Sequence, residues 1–440
     1  MEILLNPVTV SVVVLCVLCL LRLNVLLSML IACVVGGLVG GIPIYSDSET
    51  TIFQILTGGF SGNATTALAY ILLGTFATAI ATTGLAEILS KKLTRVIGGK
   101  KLVLIAVLTI VACLSQNLIP VHIAYIPILI PPMLSMMNKM KLDRRAVACA
   151  IAFGHKAPYI AIPFGFGLIF QGIIADNLTA NGMEVTVSDV AAVNWILAVA
   201  MIIGLLIAVF ITYRKPREYK MVEADTSASD AVSEKLEYRH YVTLVAIVAV
   251  VVAQVITQDL ALSALCGLIV MFVFGAVKWN EIDDQIAGGV KIMGLIAFVM
   301  LVAGGYAEVI KATGGVNALV NAAIAAMGGS KLIAAFMITL IGLLVTMGIG
   351  TSFGTVPVLA VLYVPLCAQI GFSPAATIVL MSAAAALGDA GSPASDTTLG
   401  PTSGLNADGQ HDHIWDTCVP TFLHFNIPLM IGAILAAQVL

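Results

Sequence analysis

Charge is scarce in this sequence: 10% of its 440 residues are Asp, Glu, Lys or Arg, against about 25% in ordinary soluble domains. A chain that is 60% apolar cannot cover itself with a polar surface, so the shortage excludes a soluble enzyme. The formal net charge of −3 lacks the basic excess that a nucleic-acid partner needs. The expected partner is the lipid bilayer. Metal signatures are missing too, because Cys16 and Cys19 in CVLC sit in an apolar run without histidines or further cysteines to complete a zinc site. The eight cysteines read as inert core thiols. No nucleophile stands at a sensible spacing from a base, so no enzymatic activity and no organic cofactor are expected. Met1 to Leu21 lacks a basic leader and a small-residue cleavage site, and Arg22 follows, so the first run reads as a membrane span and not a cleaved signal.

What the chain does have is apolar runs long enough to cross about 30 Å of hydrocarbon. Spans are expected near 8–21, 24–44, 64–88, 146–170, 190–213, 240–257, 259–277, 292–310 and 420–440. Residues 102–138, 332–371 and 374–400 are apolar but interrupted by prolines and glycines. The run RKPREYKMVEADTSASDAVSEKLEYRH has little to bury. It reads as a cytoplasmic linker, 214–239, between a first transmembrane repeat, 1–213, and a second, 240–440.

Basic breaks at Lys91 to Lys101, Lys139 to Arg145 and Arg214 to Arg217 belong in the cytoplasm by the positive-inside rule. The breaks at 45–63 and 171–189 carry acids without Lys or Arg and belong outside, which puts both termini outside. Residues 102–138 then begin and end in the cytoplasm, as a re-entrant hairpin or two short crossings. The first half makes an odd number of net crossings, and the second starts on the opposite side.

The halves resemble each other at a separation of about 230 residues. ATTGL at 81–85 aligns with ATGGV at 312–316, GGKKL at 98–102 with GGSKL at 328–332, and IPVHIAYIP at 119–127 with IGTSFGTVP at 349–357; GHKAP at 154–158 and GDAGSP at 388–393 follow. An odd-numbered half repeated once yields two inverted-topology repeats, an architecture in which secondary transporters bind at the midplane, at broken helices. The expected fold is an all-α polytopic membrane protein whose repeats each hold a re-entrant hairpin and an unwound transmembrane helix. The unwound segments are GDAGSPASDTTLGPTSG, from Gly388 to Gly404, and its mirror GHKAPYIAIPFG, from Gly154 to Gly165.

An aspartate at bilayer depth is penalised by at least about 2.5 kcal/mol, so the polar residues of these breaks point to a pathway. Gly and Pro free backbone carbonyls there. With Ser392, Ser395, Thr397 and Thr398 these offer hard oxygens, and Asp389 and Asp396 are the candidate cation or proton carriers. A sodium ion could be held by Asp389, Asp396 and Thr397. In the first half Ser115, Gln116, Asn117, His122, His155 and Lys156 form a polar set, with Lys156 and helix ends able to hold a carboxylate. Gly350, Thr351 and Ser352 mark the tip of the second hairpin. A buried lysine must lose its proton or keep an anionic partner; that partner is the solute's carboxylate or an aspartate across the repeat axis. Glu308 reads as interfacial, and His411, Asp412 and His413 as a surface loop without the ligand spacing of a zinc site.

GDAGSPASDTT resembles the GD-x-x-SP-x-SDT signature of the NhaC-type sodium/proton antiporters in the ion-transporter superfamily. GPTSGLNADGQHDHIWDTCVPTFLHFNIPL at 400–429 is similar to bacterial permeases of that clan proposed to carry amino acids, histidine among them. The resemblance implies an inverted-repeat fold and site residues at Gly388, Asp389, Ser392, Pro393, Ser395, Asp396 and Thr397. The expected function is a secondary active transporter in the bacterial inner membrane. It moves a small zwitterion such as histidine, coupled to sodium or protons by alternating access. The alternative is a sodium/proton antiporter with no organic substrate. Symport or antiport, the coupling ion and the oligomeric state, a homodimer included, stay open at this point.

Overall fold

The computed structural model describes residues 4–440 apart from 22, 48, 86–87, 89–96, 118–121, 221–235, 258, 317, 320–329 and 350–351, and its regular elements are all helical. Lipid offers backbone groups no partners, so a spanning chain must satisfy them within its own helices. Helices α1 (Pro7–Leu20) and α2 (Val25–Val39) begin on asparagine caps, Asn6 accepting from the Val8 N–H and Asn24 from that of Leu26. A capping box of Thr51 and Gln54 starts α3 (Ile52–Gly58). The chain continues through a 3-10 turn, Gly59–Asn63, into α4 (Ala64–Thr83). The result is one helical run of 32 residues. The span expected at 64–88 therefore begins earlier, at the cap, and ends at Gly84, whose φ of 79° closes the helix.

Helix α5 (Lys101–Asn117) leads into short helical pieces at Ile126–Leu129 and Leu134–Lys139. Next come α6 (Arg144–Ala161), α7 (Phe166–Ala180) and α8 (Val187–Ile207), the last ending in a π turn at Ala208–Thr212. Beyond the linker run α9 (Tyr238–Thr257), α10 (Leu260–Val273) and α11 (Ile282–Ala312). The last of these starts ten residues before the expected 292, at 282. The second half closes with α12 (Lys331–Ile349), α13 (Ser352–Ile370), α14 (Pro374–Ala386), α15 (Asp396–Leu405) and α16 (Ile427–Val439). Among the described residues six helices are long and apolar enough to cross a membrane, or up to eight if each bent pair counts as one span. The bent pairs are α6 with α7, at 49°, and the two halves of α13, at 58°.

Element starts recur along the chain. Ile52, Lys101 and Arg144 open helices in the first half, and Ile282, Lys331 and Pro374 open helices 230 positions later. The 52–83 run packs antiparallel against α11 by close approach of small residues. A Cβ added at Gly59 would lie 2.7 Å from the Gly305 Cα, and one added at Gly74 would lie 2.7 Å from the Gly289 carbonyl oxygen. One helix pair in each half packs alike. Gly154 of α6 presses on Ala112 of α5, and Gly342 of α12 on Ala384 of α14, each at 2.3 Å from a built Cβ.

Candidate functional site

Helix α14 stops where the backbone leaves helical space at Leu387. Gly388 and Gly391 follow with φ of 84° and 117°, a region that disfavours any residue with a side chain. A Cβ at Gly388 would also meet the Leu343 carbonyl oxygen at 2.7 Å, and one at Gly391 would meet Phe422 at 2.6 Å. Two glycines thus turn the chain in a space without room for other residues. Ser395 caps the helix that resumes, accepting from the Thr397 N–H at 3.1 Å. This unwound loop carries Asp389 into the interior, where it is 6% exposed.

The first-half break is shorter than its motif suggested. Only Ile162 to Gly165 leave the helix, so His155 and Lys156 remain within α6. Pro163 lacks an N–H to continue the ladder, and polar side chains take up the freed carbonyls. Gln171 and Asn194 both donate to the Ile160 carbonyl, at 2.9 and 3.1 Å. Asn117 donates to those of Pro158 and Ile162 at 3.1 and 3.0 Å. Asn117 therefore supports the break and does not itself reach the charged groups.

Lys156 is fully buried and forms an ion pair with Asp389, joining α6 to the unwound loop. Its ammonium also donates to the Tyr159 hydroxyl at 2.6 Å and the Ser352 hydroxyl at 2.8 Å. Ser352, the first residue of α13, donates to Asp389 Oδ2 at 2.7 Å, and Ser395 donates to Asp389 Oδ1. Both carboxylate oxygens thus have partners, and the lysine has three. Asp396 follows Ser395 in the chain and is joined to the Thr397 hydroxyl at 3.4 Å and that of Ser395 at 3.5 Å. Four segments meet here: α6, the start of α13, the unwound loop and the first turn of α15.

Three other sequence candidates have hydrogen-bond partners outside this cluster. His155 pairs with the Tyr125 hydroxyl at 3.1 Å. Ser115 spends its hydroxyl on the Ala112 carbonyl, at 2.8 Å. Gln116 is buried beside it. Ser392 serves the loop, its hydroxyl accepting from the Ala394 N–H and its carbonyl from Thr398. Gly350, Thr351 and the His122 side chain lie outside the described residues. One member of the cluster had not been singled out: Tyr159 stands three positions after Lys156, on the same face of α6. That spacing was the available signal.

A second polar network lies at the other end of α6. Arg144, fully buried, grips Asp408 with both terminal nitrogens, at 2.7 and 2.5 Å, and also reaches the Leu405 carbonyl and Asn138. Arg217 pairs with Asp416 at 2.6 Å. The HDH segment is only in part the surface loop expected, since Asp412 is exposed and His413 half-buried while His411 is enclosed. His411 is buried against the Thr417 hydroxyl at 2.7 Å, and His413 bridges Thr402 and the Pro393 carbonyl. Among the described residues no group of three His, Cys, Asp or Glu side chains could hold a metal.

The sequence matches the Na+/H+ antiporter family over residues 150–437, and a second Na+-H+ antiporter family over residues 6–97. It is 46% identical to an uncharacterized membrane protein of Vibrio parahaemolyticus, over 99% of this chain and 100% of that one. The same identity relates 88% of it to 90% of YuiF from Bacillus subtilis, whose name proposes it as an amino acid transporter. Among solved structures, MtrF from Neisseria gonorrhoeae, titled as one of a class of antimetabolite efflux pumps, aligns with 99% of this chain and 96% of its own at 14% identity and a TM-score of 0.42. The extent of the family match and the full-length relatives place the chain: it belongs to the Na+/H+ antiporter family, as a multi-pass transporter of the bacterial inner membrane that moves a solute and is not an enzyme.

Proposed function

We propose that the chain is a secondary active transporter for a small zwitterion, an amino acid such as histidine, driven by a sodium or proton gradient. The observation that carries this reading is the buried Lys156–Asp389 pair. Ionisable groups inside a membrane are costly and mark solute or ion paths. A pair of opposite charges in the dry interior matches a solute with one end of each sign. In the empty state the two residues neutralise each other. On binding, the solute's ammonium takes Asp389 and its carboxylate takes Lys156, so one ion pair becomes two and no charge is left bare. Ser352, Tyr159 and Ser395 supply hydrogen bonds in either state, and Asp396 and Thr397 stand beside the pair as oxygen ligands for a coupling sodium ion.

Alternating access would come from two inverted repeats, 1–213 and 240–440, joined by a cytoplasmic linker at 214–239. Contacts between the 52–83 run and α11 support a twofold relation. Gly59 abuts Gly305 while Gly289 abuts Thr75, and Gly74 abuts Gly289 while Gly304 abuts Gly59. Shifting one partner forward by 230 and the other back by 230 turns each contact into its mate. Self-complementary contacts of this kind arise from a twofold axis.

The family match favours a second reading, sodium/proton exchange with no organic solute. Asp389 would then hold Lys156 in one state and a sodium ion or proton in the next. Titration of purified wild type and Lys156→Met with amino acids and with sodium, by calorimetry or thermal shift, separates the two. The zwitterion reading expects amino-acid binding that weakens by more than about tenfold in Lys156→Met, since breaking a desolvated pair on one side costs about 3–5 kcal/mol. Stabilisation of the wild type by sodium alone, with no carboxylate having any effect, would discard it in favour of exchange.

A further inference from the structure

A cavity of about 440 Å³ lies between Gly58 to Asn63, the last turns of α11 and Gly354. Its volume falls in the range of small-molecule sites, about 300–1,000 Å³. Lys156, Asp389, Ser395 and Asp396 do not line it, so it is distinct from the buried pair. Two charged side chains do: Glu308 and Lys311, paired at 2.7 Å and 47% and 39% exposed. The first turn of α13 contributes to the wall through Gly354. Gly354 faces the cavity, while Ser352 of the same turn binds Asp389 and Lys156. Phe353 lies between them and packs on Tyr159 and Phe170, with ring centroids 5.9 and 5.8 Å away. One helical turn therefore divides the cavity from the proposed transport site.

We propose that this cavity is the outer vestibule of the transport path, and that Glu308 and Lys311 form a first station for a zwitterion. The proposal rests on the zwitterion reading above. The cavity is lined by the last turn of α3 and the 3-10 turn after it, and this short helix follows the break carrying Asp47 and Glu49 without Lys or Arg, the side read as external. A half-exposed ion pair is held weakly, so it opens readily to a ligand bearing the same two charges. Glu308 takes the ammonium and Lys311 the carboxylate. The solute then waits beside the turn that closes over Lys156 and Asp389.

The glycines of the wall allow a test that leaves the packing intact. A Cβ at Gly58 or Gly62 would meet nothing within 4 Å, and Gly58 has helical φ and ψ of −60° and −36°. In proteoliposomes, Gly58→Trp should block uptake of labelled L-histidine and sodium-driven proton flux while the protein still melts like wild type. Gly62→Cys, in a background without native cysteines, should lose both fluxes on external addition of an impermeant thiosulfonate. Glu308→Gln with Lys311→Met should raise the KM for histidine several-fold and leave kcat unchanged. Wild-type flux of both solutes in Gly58→Trp, and in Gly62→Cys after modification confirmed by mass spectrometry, overturns the vestibule. An unchanged KM in the charge variant overturns the station. Sodium-driven proton flux without any histidine uptake by the unmodified wild type would instead refute the zwitterion reading on which the station depends.

Discussion

Whether Lys156 and Asp389 act as one unit can be measured by removing them singly and together. Lys156→Met leaves the Asp389 carboxylate in the interior with, among the described residues, the Ser352 and Ser395 hydroxyls as donors. Asp389→Asn leaves the Lys156 ammonium, fully buried, with Tyr159 and Ser352. Breaking a buried pair from one side costs about 3–5 kcal/mol, because an uncompensated charge remains. Independent losses would sum to about 6–10 kcal/mol in the double variant. That variant leaves neither charge of the pair in the interior, and the amide introduced by Asp389→Asn can still use the same hydroxyls. Its stability should fall within about 2 kcal/mol of wild type, since neutral replacements of buried pairs are often tolerated. Reversible denaturation of the four proteins in one detergent mixture gives the cycle. Additivity within about 0.5 kcal/mol, the behaviour of residues that do not touch, would mean the two charges are not coupled and would remove the basis of the proposed site.

Transport separates what stability joins: Asp389→Asn should fold yet fail to accumulate solute against a gradient, because an amide cannot exchange one cation for another, and concentrative uptake at the wild-type level would exclude Asp389 from coupling. A cysteine at Lys215, exposed just beyond α8, should react with impermeant reagents only from the cytoplasmic side; labelling from outside alone would sink the inverted-repeat reading. Burial, with smaller contributions from Arg144, Arg217 and His413 and against the pull of Asp416, pushes the His411 ring down to about 3 from an ordinary 6.5. The unfolded chain then binds the extra proton between those values, so stability is full above pH 6.5 and falls as pH drops toward 3. His411→Gln should flatten that part of the stability profile, and an unchanged acid limb would show that His411 does not set it.

Spans were legible because apolar length is set by the bilayer, but their ends were not. The 52–83 and 282–312 helices begin well outside the expected cores, at caps and polar turns such as Thr51 and Gln54. Hydropathy is blind to those, since a capping box is polar by construction. The unwound loop at Gly388 was legible from its glycines and aspartates. The extent of its mirror was not, because α6 carries His155, Lys156 and Pro158 through to Ala161 without unwinding. Proline inside a helix removes one donor, and whether the helix breaks there depends on neighbours that no local reading contains. The HDH segment was misjudged in part for a similar reason: Asp412 does face outward, yet Thr417 holds the His411 ring in the interior, and Thr402 and the Pro393 carbonyl engage the half-buried His413.

Tyr159 marks the deeper limit of reading the halves against each other. Motif matching set GHKAP beside GDAGSP, whereas the helix starts fix the separation at 230, which places Tyr159 opposite Asp389 and His122 opposite Ser352. Tyr159 stays within α6 whereas Asp389 lies on the unwound loop, so the two positions differ in backbone as well as in chemistry. That difference follows from the solute under the zwitterion reading. A twofold-symmetric pair of breaks would offer the same groups to both ends of a molecule, which suits neither an ammonium nor a carboxylate. Keeping the acid on the unwound loop and the lysine on α6 gives the site a direction. Restoring symmetry by Tyr159→Asp would set a second carboxylate within reach of Lys156, and like charges so close disfavour each other. Such a variant should lose amino-acid binding and gain affinity for sodium, measured in the same titration as Lys156→Met. Retained amino-acid affinity would show that the asymmetry of the two breaks has no part in recognition.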